Sequence, residues 1–423
     1  MSTYRRRVID DLLDELQPSL RAISIHGPKG VGKTATAAQR AKTIVDLDLP
    51  RTREIIDTDP SILTTMPGPV LVDEWQRMPQ VWDYVRRAVD AGTPRGHFII
   101  AGSSAPRGAV VHSGAGRIVP MRLRPLSLAE REIEKASVSL KTLLNEDNAA
   151  VAGTTSLRLT DYVEEITASG LPAIRDEPRR IRESLLDAYL ENVVQREFPE
   201  QGYSVRRPRT LRAWLTAYAA ATSSTTSYTK ILDAATVGDS DKPARTTVLS
   251  YRDALGSLWL LDDIPAWIPG HNHLERLTQT PKHQLADPAL AARLLSLGPD
   301  KLLRADQGSV TIPDGTILGA LFEHLVGLSI KVYAENADAR VSYLRTRGGD
   351  HEVDLIVQRR DGRVIAIEVK LSDRAEDADV KHLKWLKEKI GDNLIDAVVV
   401  TAGEYAYRRR DGIAVIPAAL LGP

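Results

Sequence analysis

Cysteine is absent from the 423 residues of this sequence, and neither sign of charge is in excess. Without cysteine there is no disulfide framework, thiolate metal site, iron–sulfur cluster or cysteine nucleophile. Lysine plus arginine equals aspartate plus glutamate at 56 each, so the formal net charge is zero. This balance excludes a protein that coats nucleic acid by bulk charge alone, although local basic patches stay open.

Long apolar runs are missing as well, since none approaches the ~18–20 residues that would span a bilayer. The first residues are basic and lead into acidic ones, with no apolar signal region. Hydrophobic residues make up 43% and charged residues 26%, a profile typical of soluble proteins. We therefore expect a cytoplasmic protein with no membrane partner, long enough at 423 residues for more than one domain.

The hydrophobic pattern predicts a multidomain α/β chain. In residues 1–135, short apolar runs alternate with helical patterns, which is typical of a parallel sheet covered by helices. The candidate strands of this region are 22–26, 53–57, 70–73 and 97–101. A polar stretch at 145–156 predicts a boundary, followed by a helical module at 155–270, a connector at 271–310 and a strand-rich module at 311–423.

A phosphate-binding loop lies between the first candidate strand and an alanine-rich helix. It matches the known pattern in full and consists of Gly27, Pro28, Lys29, Gly30, Val31, Gly32, Lys33 and Thr34. Such a loop closes backbone N–H groups around phosphate oxygens, aided by the positive end of the helix. Lys33 is expected on the β- and γ-phosphates and Thr34 on Mg²⁺, so the sequence predicts binding of ATP and ADP with Mg²⁺.

Two acids follow one another at the end of the strand at 70–73 and supply the second half of a nucleotide site. Asp73 is expected to hold Mg²⁺ through water, and Glu74 to polarise the attacking water. The strand at 97–101 leads into small polar residues, and beside the acidic strand it would place Ser103 near the γ-phosphate. Together with the phosphate loop, these residues predict ATP hydrolysis.

Several stretches carry a resemblance to a known family. In order after the phosphate loop they are Asp73-Glu74-Trp75-Gln76, Ala101-Gly102-Ser103-Ser104, Gly116-Arg117 and Leu123-Arg124-Pro125-Leu126-Ser127. The chain resembles the archaeal-type ATPases, a bacterial and archaeal family with an AAA-type ATPase domain and a C-terminal domain of unknown function. The resemblance continues through 170–172 and 281–282 and covers nearly the whole chain, with Trp75 and Ala101 as mild departures.

Arg117 is the catalytic candidate that the resemblance adds. In this family the Gly-Arg pair follows the sensor strand, where the arginine would act as a finger on the γ-phosphate. It would do so within the chain or from a neighbouring subunit of a homo-oligomer. The alternative is an arginine that ties the next strand to the sheet, and Arg122 and Arg124 are weaker finger candidates.

The middle module carries two predicted helices, at 228–235 and from about 244, followed by a candidate hairpin at 258–267. This order favours a winged helix, which the resemblance also implies. Polar residues on the exposed side of the second helix would then meet phosphates or base edges of DNA; they are Arg245, Thr247, Ser250 and Arg252. The alternative is that the module serves only for packing or protein contacts.

In the C-terminal module, two strands around a turn at 361–362 bring polar residues close together. Asp354 lies on the first strand, and Glu368 and Lys370 lie on one face of the second. Carboxylates so arranged bind Mg²⁺, and the lysine can activate water. The pattern resembles the restriction-endonuclease-like PD-(D/E)xK nuclease core, including archaeal Holliday-junction resolvases. In such nucleases a glutamate of the preceding helix completes the metal site, which here would be Glu323.

Two functions are consistent with these patterns. The first is a protein that binds and hydrolyses ATP and couples its nucleotide state to a DNA-binding or DNA-cleaving nuclease-like domain. The alternative is a nucleotide-controlled switch or scaffold whose nuclease-like domain is a catalytically inactive module that binds protein or DNA. Zero net charge favours the switch. The complete set of Asp354, Glu368 and Lys370 favours the nuclease.

Overall fold

The computed structural model describes residues 4–102, 114–146, 148–203, 208–236, 245–268, 279–307, 317–346 and 348–423. Ser103, which was predicted near the γ-phosphate, and the side chain of Arg245 lie outside this described part of the chain. An N-terminal parallel sheet and a C-terminal mixed sheet are joined by a helical region. The chain is therefore a multidomain α/β protein, as its hydrophobic pattern predicts.

Five parallel strands form the first sheet: β1 (Ala22–His26), β2 (Thr43–Asp46), β3 (Val70–Asp73), β4 (Phe98–Ala101) and β5 (Ile118–Arg122). Their order across the sheet is β2-β3-β4-β1-β5, so β4 separates the acidic strand from the strand that enters the phosphate loop. Every residue of β3 and β4 is buried. Unbroken apolar sequences of this kind are typical of parallel strands that are covered on both faces.

The strand predicted at 53–57 is wrong. These residues lie in the helix Pro50–Thr58, which begins at a proline in its first turn and buries only Ile56. The strand that this part of the chain contributes to the sheet is instead β2. It lies at the edge of the sheet, and Val45 is its single buried residue. One buried residue in a strand of four shows no period, so the sequence pattern does not indicate this strand.

The helices of the described residues lie before, between and after the strands in the chain. In chain order they are α1 (Val8–Leu16), α2 (Lys33–Ala38), α3 (Pro50–Thr58), α4 (Ile62–Thr65), α5 (Val81–Asp90), α6 (Leu140–Asn145), α7 (Leu159–Ala168), α8 (Pro172–Arg175), α9 (Arg179–Asn192), α10 (Phe198–Glu200), α11 (Pro208–Ala220), α12 (Tyr228–Ala235), α13 (Arg245–Ser257), α14 (Pro288–Leu294), α15 (Pro299–Gln307), α16 (Ile317–Asn336) and α17 (Lys381–Ile390). Short 3₁₀ turns lie at Gln17–Ser19, Trp75–Arg77, Ala129–Arg131, Gly391–Asn393 and Ala418–Leu420, and a π-helical segment, Val193–Glu197, follows α9.

The long helix α16 lies in the core and contacts α1 of the N-terminal region, α7 of the middle region and the strand Arg340–Arg345 of the second sheet. Among the described residues it is the one helix that is long and apolar enough to cross a membrane. However, 72% of its apolar window is buried inside the protein. A helix buried to this extent is consistent with the core of a soluble protein.

The second sheet holds seven strands in the order β7-β12-β13-β11-β10-β9-β8. They are β7 (Gly153–Thr154), β8 (Arg340–Arg345), β9 (Glu352–Gln358), β10 (Val364–Lys370), β11 (Leu394–Thr401), β12 (Tyr405–Arg408) and β13 (Ala414–Pro417). Strands β9 and β10 form the antiparallel hairpin that the sequence predicts, with Leu355 opposite Ile367. Strand β10 continues into a parallel pair with β11, which places β10 in the middle of the sheet.

The polar stretch predicted as a boundary belongs in part to this second sheet. Strand β7 pairs with β12, and a separate short pair joins β6 (Val138–Ser139) to β14 (Leu421–Gly422). Helix α6, which lies between β6 and β7 in the chain, packs against α16 and β11. The chain therefore touches the C-terminal sheet before it enters the helical region.

The segment after α13 pairs with the connector rather than with itself. The N–H of Asp262 donates to the Gln284 carbonyl at 2.9 Å, and Ile264 and Lys282 exchange two backbone hydrogen bonds of 2.9 Å each. An antiparallel pair of 260–264 with 282–286 thus replaces the hairpin predicted at 258–267. This pairing fixes the backbone position of Lys282.

Candidate functional site

The phosphate loop joins the carboxyl end of β1 to the amino end of α2. At Gly27 a Cβ atom would lie 2.1 Å from the carbonyl oxygen of Leu123, so only glycine fits between the loop and the chain that follows β5. Gly32 caps α2 at a φ of +100°, a left-handed conformation that glycine adopts without strain. Of the residues between them, Val31 is buried and the side chain of Lys29 is 72% exposed.

Lys33 lies inside this loop and is 9% exposed. Its Nζ donates to the carbonyl oxygens of Gly27 and Pro28, each at 2.9 Å. Burial lowers the pKa of Lys33 to about 8, although the nearby carboxylates oppose this shift. The ammonium group is therefore fixed at the inner wall of the loop, where a phosphate loop holds the phosphates of its nucleotide.

Thr34 and Asp73 meet across the site. The hydroxyl of Thr34 donates to Oδ2 of Asp73 at 2.8 Å and to Oδ1 at 3.1 Å. Burial raises the pKa of Asp73, and the hydrogen bond from Thr34 opposes that shift. A hydroxyl and a carboxylate are the ligand types that Mg²⁺ takes in nucleotide sites. The pair therefore fits the Mg²⁺ ion that is expected with ATP.

Glu74 directly follows β3 and adopts a φ of +53°, which few residues other than glycine do. Its carboxylate accepts a hydrogen bond from the side-chain amide of Gln76, in the 3₁₀ turn that begins here. Backbone strain of this kind persists where the surrounding structure holds it, and it clusters at active sites. The strain thus coincides with the residue predicted to polarise water.

The middle region supplies the wall opposite the phosphate loop in this candidate site. A cavity of about 210 Å³ is lined by Lys33 and Glu74 on one side and by Glu197 and Gln201 on the other. Glu197 ends the π-helical segment, lies 3.6 Å from Nζ of Lys29 and has a pKa raised by burial. No sequence motif marks these residues, because they reach the loop only through the folding of α9 and the π-helical segment.

Arg117 and the phosphate loop lie at opposite ends of the strands of the first sheet. Strand β5 runs parallel to β1 with Arg122 opposite His26. Arg117 therefore lies before the amino end of β5, whereas the phosphate loop follows the carboxyl end of β1. At ~3.3 Å per residue, the two positions are more than ~13 Å apart. The guanidinium of Arg117 pairs with Asp90 at 2.6 Å. The structure therefore does not bring Arg117 to the loop within one chain, and its action from a neighbouring subunit stays a prediction.

Arg122 and Arg124, the weaker finger candidates, belong to a buried ion network. Asp262 lies 2.9 Å from Arg122 and 3.0 Å from Arg124. Lys331 completes the contacts of the Asp262 carboxylate at 3.3 Å, and Glu335 pairs with Arg124 at 2.6 Å. Burial alone would raise the pKa of Asp262, but the surrounding cations hold it well below its usual range. The network ties β5 to α16.

Among its described side chains, helix α13 does not present the expected DNA-contacting surface. The guanidinium of Arg252 covers the ring of Tyr228 at 3.7 Å from its centroid. Thr247 and Ser250 are half-buried, and the side chains that this helix exposes among the described ones include Leu249 and Asp253. Within the described side chains, α13 therefore offers little that would meet a phosphate.

The predicted residues of the C-terminal module do come together. Asp354 on β9, Glu368 and Lys370 on β10, and Glu323 on α16 all line one cleft of about 980 Å³. Oδ2 of Asp354 accepts a hydrogen bond from the Val369 N–H at 3.0 Å. Nζ of Lys370 lies 3.2 Å from Glu368. The hairpin register and the buried helix α16 together create this cluster.

Lys282 is a further member of the cluster that sequence reasoning missed. Its Nζ lies 2.9 Å from Glu323, 3.0 Å from Asp354 and 3.3 Å from Glu352. Its side chain is 1% exposed. Burial alone would lower the pKa of Lys282, but the carboxylates raise it well above its usual value. The Pro-Lys pair at 281–282 belongs to the family resemblance, yet a lysine in a proline-rich connector gives no chemical signal of its own.

Burial favours a raised pKa at three carboxylates of the cluster, but the net shift differs among them. It raises the pKa of Glu323 to about 8, and with the charge of Asp354 it raises that of Glu368 well above the usual range. Burial would also raise the pKa of Asp354, but the charges of Lys282 and Lys370 outweigh it and lower the pKa. Oε1 of Glu368 is buried without a hydrogen-bond partner among the described residues.

The cluster differs from the expected magnesium site. A magnesium ion needs oxygen ligands that converge at ~2.0–2.1 Å. Among the described residues, no group of three or more His, Asp or Glu side chains is placed to hold a metal ion. The carboxylates of Glu323 and Asp354 instead converge on the ammonium of Lys282. The residues as arranged therefore do not fit Mg²⁺ at this position.

Three family models match this chain, each over one part of it. Residues 19–132 match an AAA domain, residues 159–301 match a domain of unknown function (DUF8612), and residues 318–421 match another domain of unknown function (DUF4143). Two curated relatives are the uncharacterized proteins Mb2031c of Mycobacterium bovis and Rv2008c of Mycobacterium tuberculosis. Each is 24% identical over 405 residues, which cover 94% of this chain and 80% of the relative.

Similar solved structures include the Walker-type ATPase PABY2304 of Pyrococcus abyssi, with a TM-score of 0.38 and 12% identity over 67% of this chain and 94% of that one. Another is the ORC2 protein of Aeropyrum pernix in its ADPNP–ADP complexes, with a TM-score of 0.31 and 15% identity over 73% and 98%. At these TM-scores the likeness is loose. The AAA domain match and the strand–loop–helix geometry nevertheless agree, and the N-terminal region of this chain is a P-loop ATPase-like domain of the AAA type.

Proposed function

We propose that this protein binds ATP with Mg²⁺ at the loop 27–34 and hydrolyses it. The observation that carries the proposal is the placement of Lys33 inside the loop, with the Thr34–Asp73 contact and Glu74 around the same site. Lys33 would donate to the β- and γ-phosphates, and Thr34 and Asp73 would hold Mg²⁺, which when bound neutralises phosphate charge. Glu74 would orient and polarise the attacking water.

Two variants separate nucleotide binding from turnover. Lys33→Ala is expected to lose both, whereas Glu74→Gln keeps ATP binding and lowers turnover by ~10²–10⁴-fold. Lys141→Ala and Glu54→Gln remove exposed side chains of the same types and serve as controls that keep wild-type turnover. Undiminished turnover in Lys33→Ala would contradict the assignment of the site.

The proposed coupling between nucleotide state and the C-terminal module begins next to the phosphate loop. The N–H of Leu123 donates to the carbonyl of His26, the last residue before the loop, at 2.7 Å. The ring of Trp259 lies 5.6 Å from the His26 ring and 5.0 Å from the Arg122 guanidinium, measured between centres. A shift of the loop on nucleotide binding would therefore reach both β5 and the segment that follows α13.

The buried ion network supports the second half of this path. It joins Arg122 and Arg124 to Asp262 and to α16, the helix that also carries Glu323 of the carboxylate cluster. From Lys331 to Glu323 is eight residues, or ~12 Å along one rigid helix. We therefore propose that nucleotide state changes the position of α16 and with it the C-terminal cleft.

We infer that this cleft binds DNA. It lies between the middle and C-terminal regions and is lined by Lys230, Arg345 and Lys370 together with the hydroxyl-rich loop 222–227. Arg345 donates to the hydroxyl of Thr225 at 2.9 Å, so the two regions meet at its edge. Cations interleaved with hydroxyl donors are the groups that bind phosphate oxygens. The expected winged helix of the middle region remains part of this proposal, with the cleft rather than α13 as the contact.

Binding of duplex, single-stranded and branched DNA over a range of salt concentrations tests this proposal. The double variant Lys230→Ala/Arg345→Ala is expected to bind more weakly and to lower the slope of log affinity against log salt by ~1 per lost phosphate contact. Lys141→Ala/Arg360→Ala removes two exposed cations outside the cleft and is the matched control. Equal affinity and slope in both variants would point to the protein-binding alternative.

Arg117 is proposed to act from a neighbouring subunit of a homo-oligomer. Its side chain is 44% exposed and lies away from its own phosphate loop. A mixture of Arg117→Ala and Lys33→Ala chains is expected to recover turnover, because one subunit supplies the loop and the other the arginine. A mixture as inactive as its components, alongside a monomer in solution, would contradict this.

A further inference from the structure

We propose that the ammonium group of Lys282 is the resident cation of the C-terminal carboxylate cluster, so that this module works without a bound metal ion. The proposal concerns the cation at this position and goes beyond the proposed function. It holds whether or not the cleft binds DNA. The observation behind it is the convergence of three carboxylates from two elements on one buried Nζ atom.

The geometry around Lys282 matches an ammonium ion and not Mg²⁺. A lysine ammonium has three N–H donors, and three carboxylates lie at 2.9, 3.0 and 3.3 Å from Nζ. Two of the donors form hydrogen bonds, to Glu323 and Asp354, and Glu352 completes the ion-pair contacts of the ammonium. Magnesium draws its oxygen ligands to ~2.0–2.1 Å, so the same carboxylates would have to move inward by ~1 Å to hold it.

The backbone delivers Lys282 to this place through ordered structure. Ile264 both donates to and accepts from Lys282, with hydrogen bonds of 2.9 Å. The ammonium lies 5.8 Å from the ring centre of Tyr343, on the neighbouring strand β8. With its side chain 1% exposed, Lys282 is held at the wall of the cleft by this packing. Displacing it by a metal ion would leave an ammonium buried without a partner, which is strongly unfavourable.

Every carboxylate of the cluster already has a cation of the protein beside it. The pairs are Glu368 with Lys370 at 3.2 Å, Glu352 with Arg345 at 3.7 Å, and Glu323 and Asp354 with Lys282. A divalent cation is drawn to carboxylates whose negative charge is uncompensated. Because three cations of the protein already lie beside these four carboxylates, the cluster offers Mg²⁺ less electrostatic attraction than four uncompensated carboxylates would.

A manganese titration of the full chain tests the proposal directly. All chains carry Asp73→Asn and no nucleotide is added, so that the nucleotide site takes up little metal. The chain with Lys282 intact is expected to bind no stoichiometric Mn²⁺ and to unfold at the same temperature in EDTA and in Mg²⁺. Lys282→Met keeps an unbranched side chain, one atom shorter, and removes its charge. It is expected to unfold at a lower temperature in EDTA, to be restabilised by Mg²⁺ or Mn²⁺, and to bind Mn²⁺ at least about tenfold more tightly.

A second substitution locates the metal in that variant. Lys282→Met/Asp354→Asn is expected to lose the response to metal. The proposal is overturned if the chain with Lys282 intact binds Mn²⁺ stoichiometrically and Asp354→Asn abolishes that binding. It is also overturned if the wild-type chain cleaves DNA with Mg²⁺ and Asp354→Ala does not, or if Lys282→Met is as stable as the parent and indifferent to metal. The Mn²⁺-binding and DNA-cleavage measurements use chains with Lys282 intact. They therefore test the proposal even if Lys282→Met fails to fold.

Discussion

Replacing Asp262 by asparagine is expected to destabilise the protein and to uncouple its modules. The Asp262 side chain is 5% exposed and lies within 3.3 Å of three cations, Arg122, Arg124 and Lys331. Asparagine keeps the size and shape of the side chain and removes only its charge. Among the described residues, only Arg124 of the three cations would then keep an ion pair with a carboxylate, that of Glu335.

The size of the effect follows from burial. Removing one member of a buried ion pair costs ~3–5 kcal/mol, because the partner stays buried without compensation. Three cations lose a partner here, but Arg124 keeps Glu335, so we expect the free energy of unfolding to fall by about 4 kcal/mol. The control is Asp300→Asn, which removes a pair with Arg179 at 3.2 Å whose carboxylate is 73% exposed. Exposed pairs of this kind contribute about 0–1 kcal/mol.

The pH dependence of this effect has a definite sign. The pKa of Asp262 is lower in the folded protein than its ordinary value, because the surrounding cations favour the charged form. Its contribution to stability is therefore complete above the unfolded pKa of ~3.9 and is lost as the pH falls from there toward the folded pKa. The difference in the free energy of unfolding between wild type and Asp262→Asn should be largest at neutral pH and should become smaller in strong acid.

Urea unfolding followed by tryptophan fluorescence measures the destabilisation, since Trp259 lies against Arg122 of the network. DNA affinity with and without ATP measures the coupling in the same variants. An Asp262→Asn chain within about 1 kcal/mol of the Asp300→Asn control would refute the argument, since an exposed pair sets that limit. So would a variant that loses stability but keeps the full effect of ATP on DNA affinity.

Three further outcomes are expected. ATP affinity should fall above pH 8, by up to ~tenfold per pH unit, because burial lowers the pKa of Lys33 to about 8 and the charged form of the lysine binds phosphate. Titration with a fluorescent nucleotide measures this affinity, and an affinity that does not change with pH would contradict the prediction. Gly27→Ala should abolish nucleotide binding, since its Cβ would meet the Leu123 carbonyl at 2.1 Å, whereas Gly256→Ala, with nothing within 4 Å, should leave thermal stability unchanged or raised. Glu197→Gln should tighten ATP binding several-fold by calorimetry, because it removes a carboxylate from the wall facing the phosphates; weaker binding would contradict that placement.

Local patterns predicted the elements of both sites well. The phosphate loop lies between a strand and a helix because its glycines, lysine and threonine occupy consecutive positions that need no distant partner. The hairpin that carries Asp354 and Glu368 likewise follows from alternation and a short turn. In both cases the information is contained within about 20 residues of sequence, which is the range that periodicity can read.

Contacts between distant segments were not predictable in this way. Lys282 reaches the carboxylates because its segment pairs with 260–264, and Glu197 reaches the phosphate loop because the π-helical segment after α9 lines the same cavity. The sequence pattern did not predict strand β2, because this strand lies at the edge of the sheet and buries only one residue, Val45. Each of these features depends on a contact between segments that are far apart in the chain. A single sequence does not show which distant segments contact each other.

The central claim is that ATP at the N-terminal loop controls the C-terminal module. The most direct measurement is the DNA affinity of the full chain with and without ATP, in a Glu74→Gln background that holds ATP without hydrolysis. We expect ATP to change the affinity by ~5–150-fold, the usual range of coupling between sites, and we expect the added Lys33→Ala substitution to remove the change. DNA affinity that is the same with and without bound ATP would contradict it.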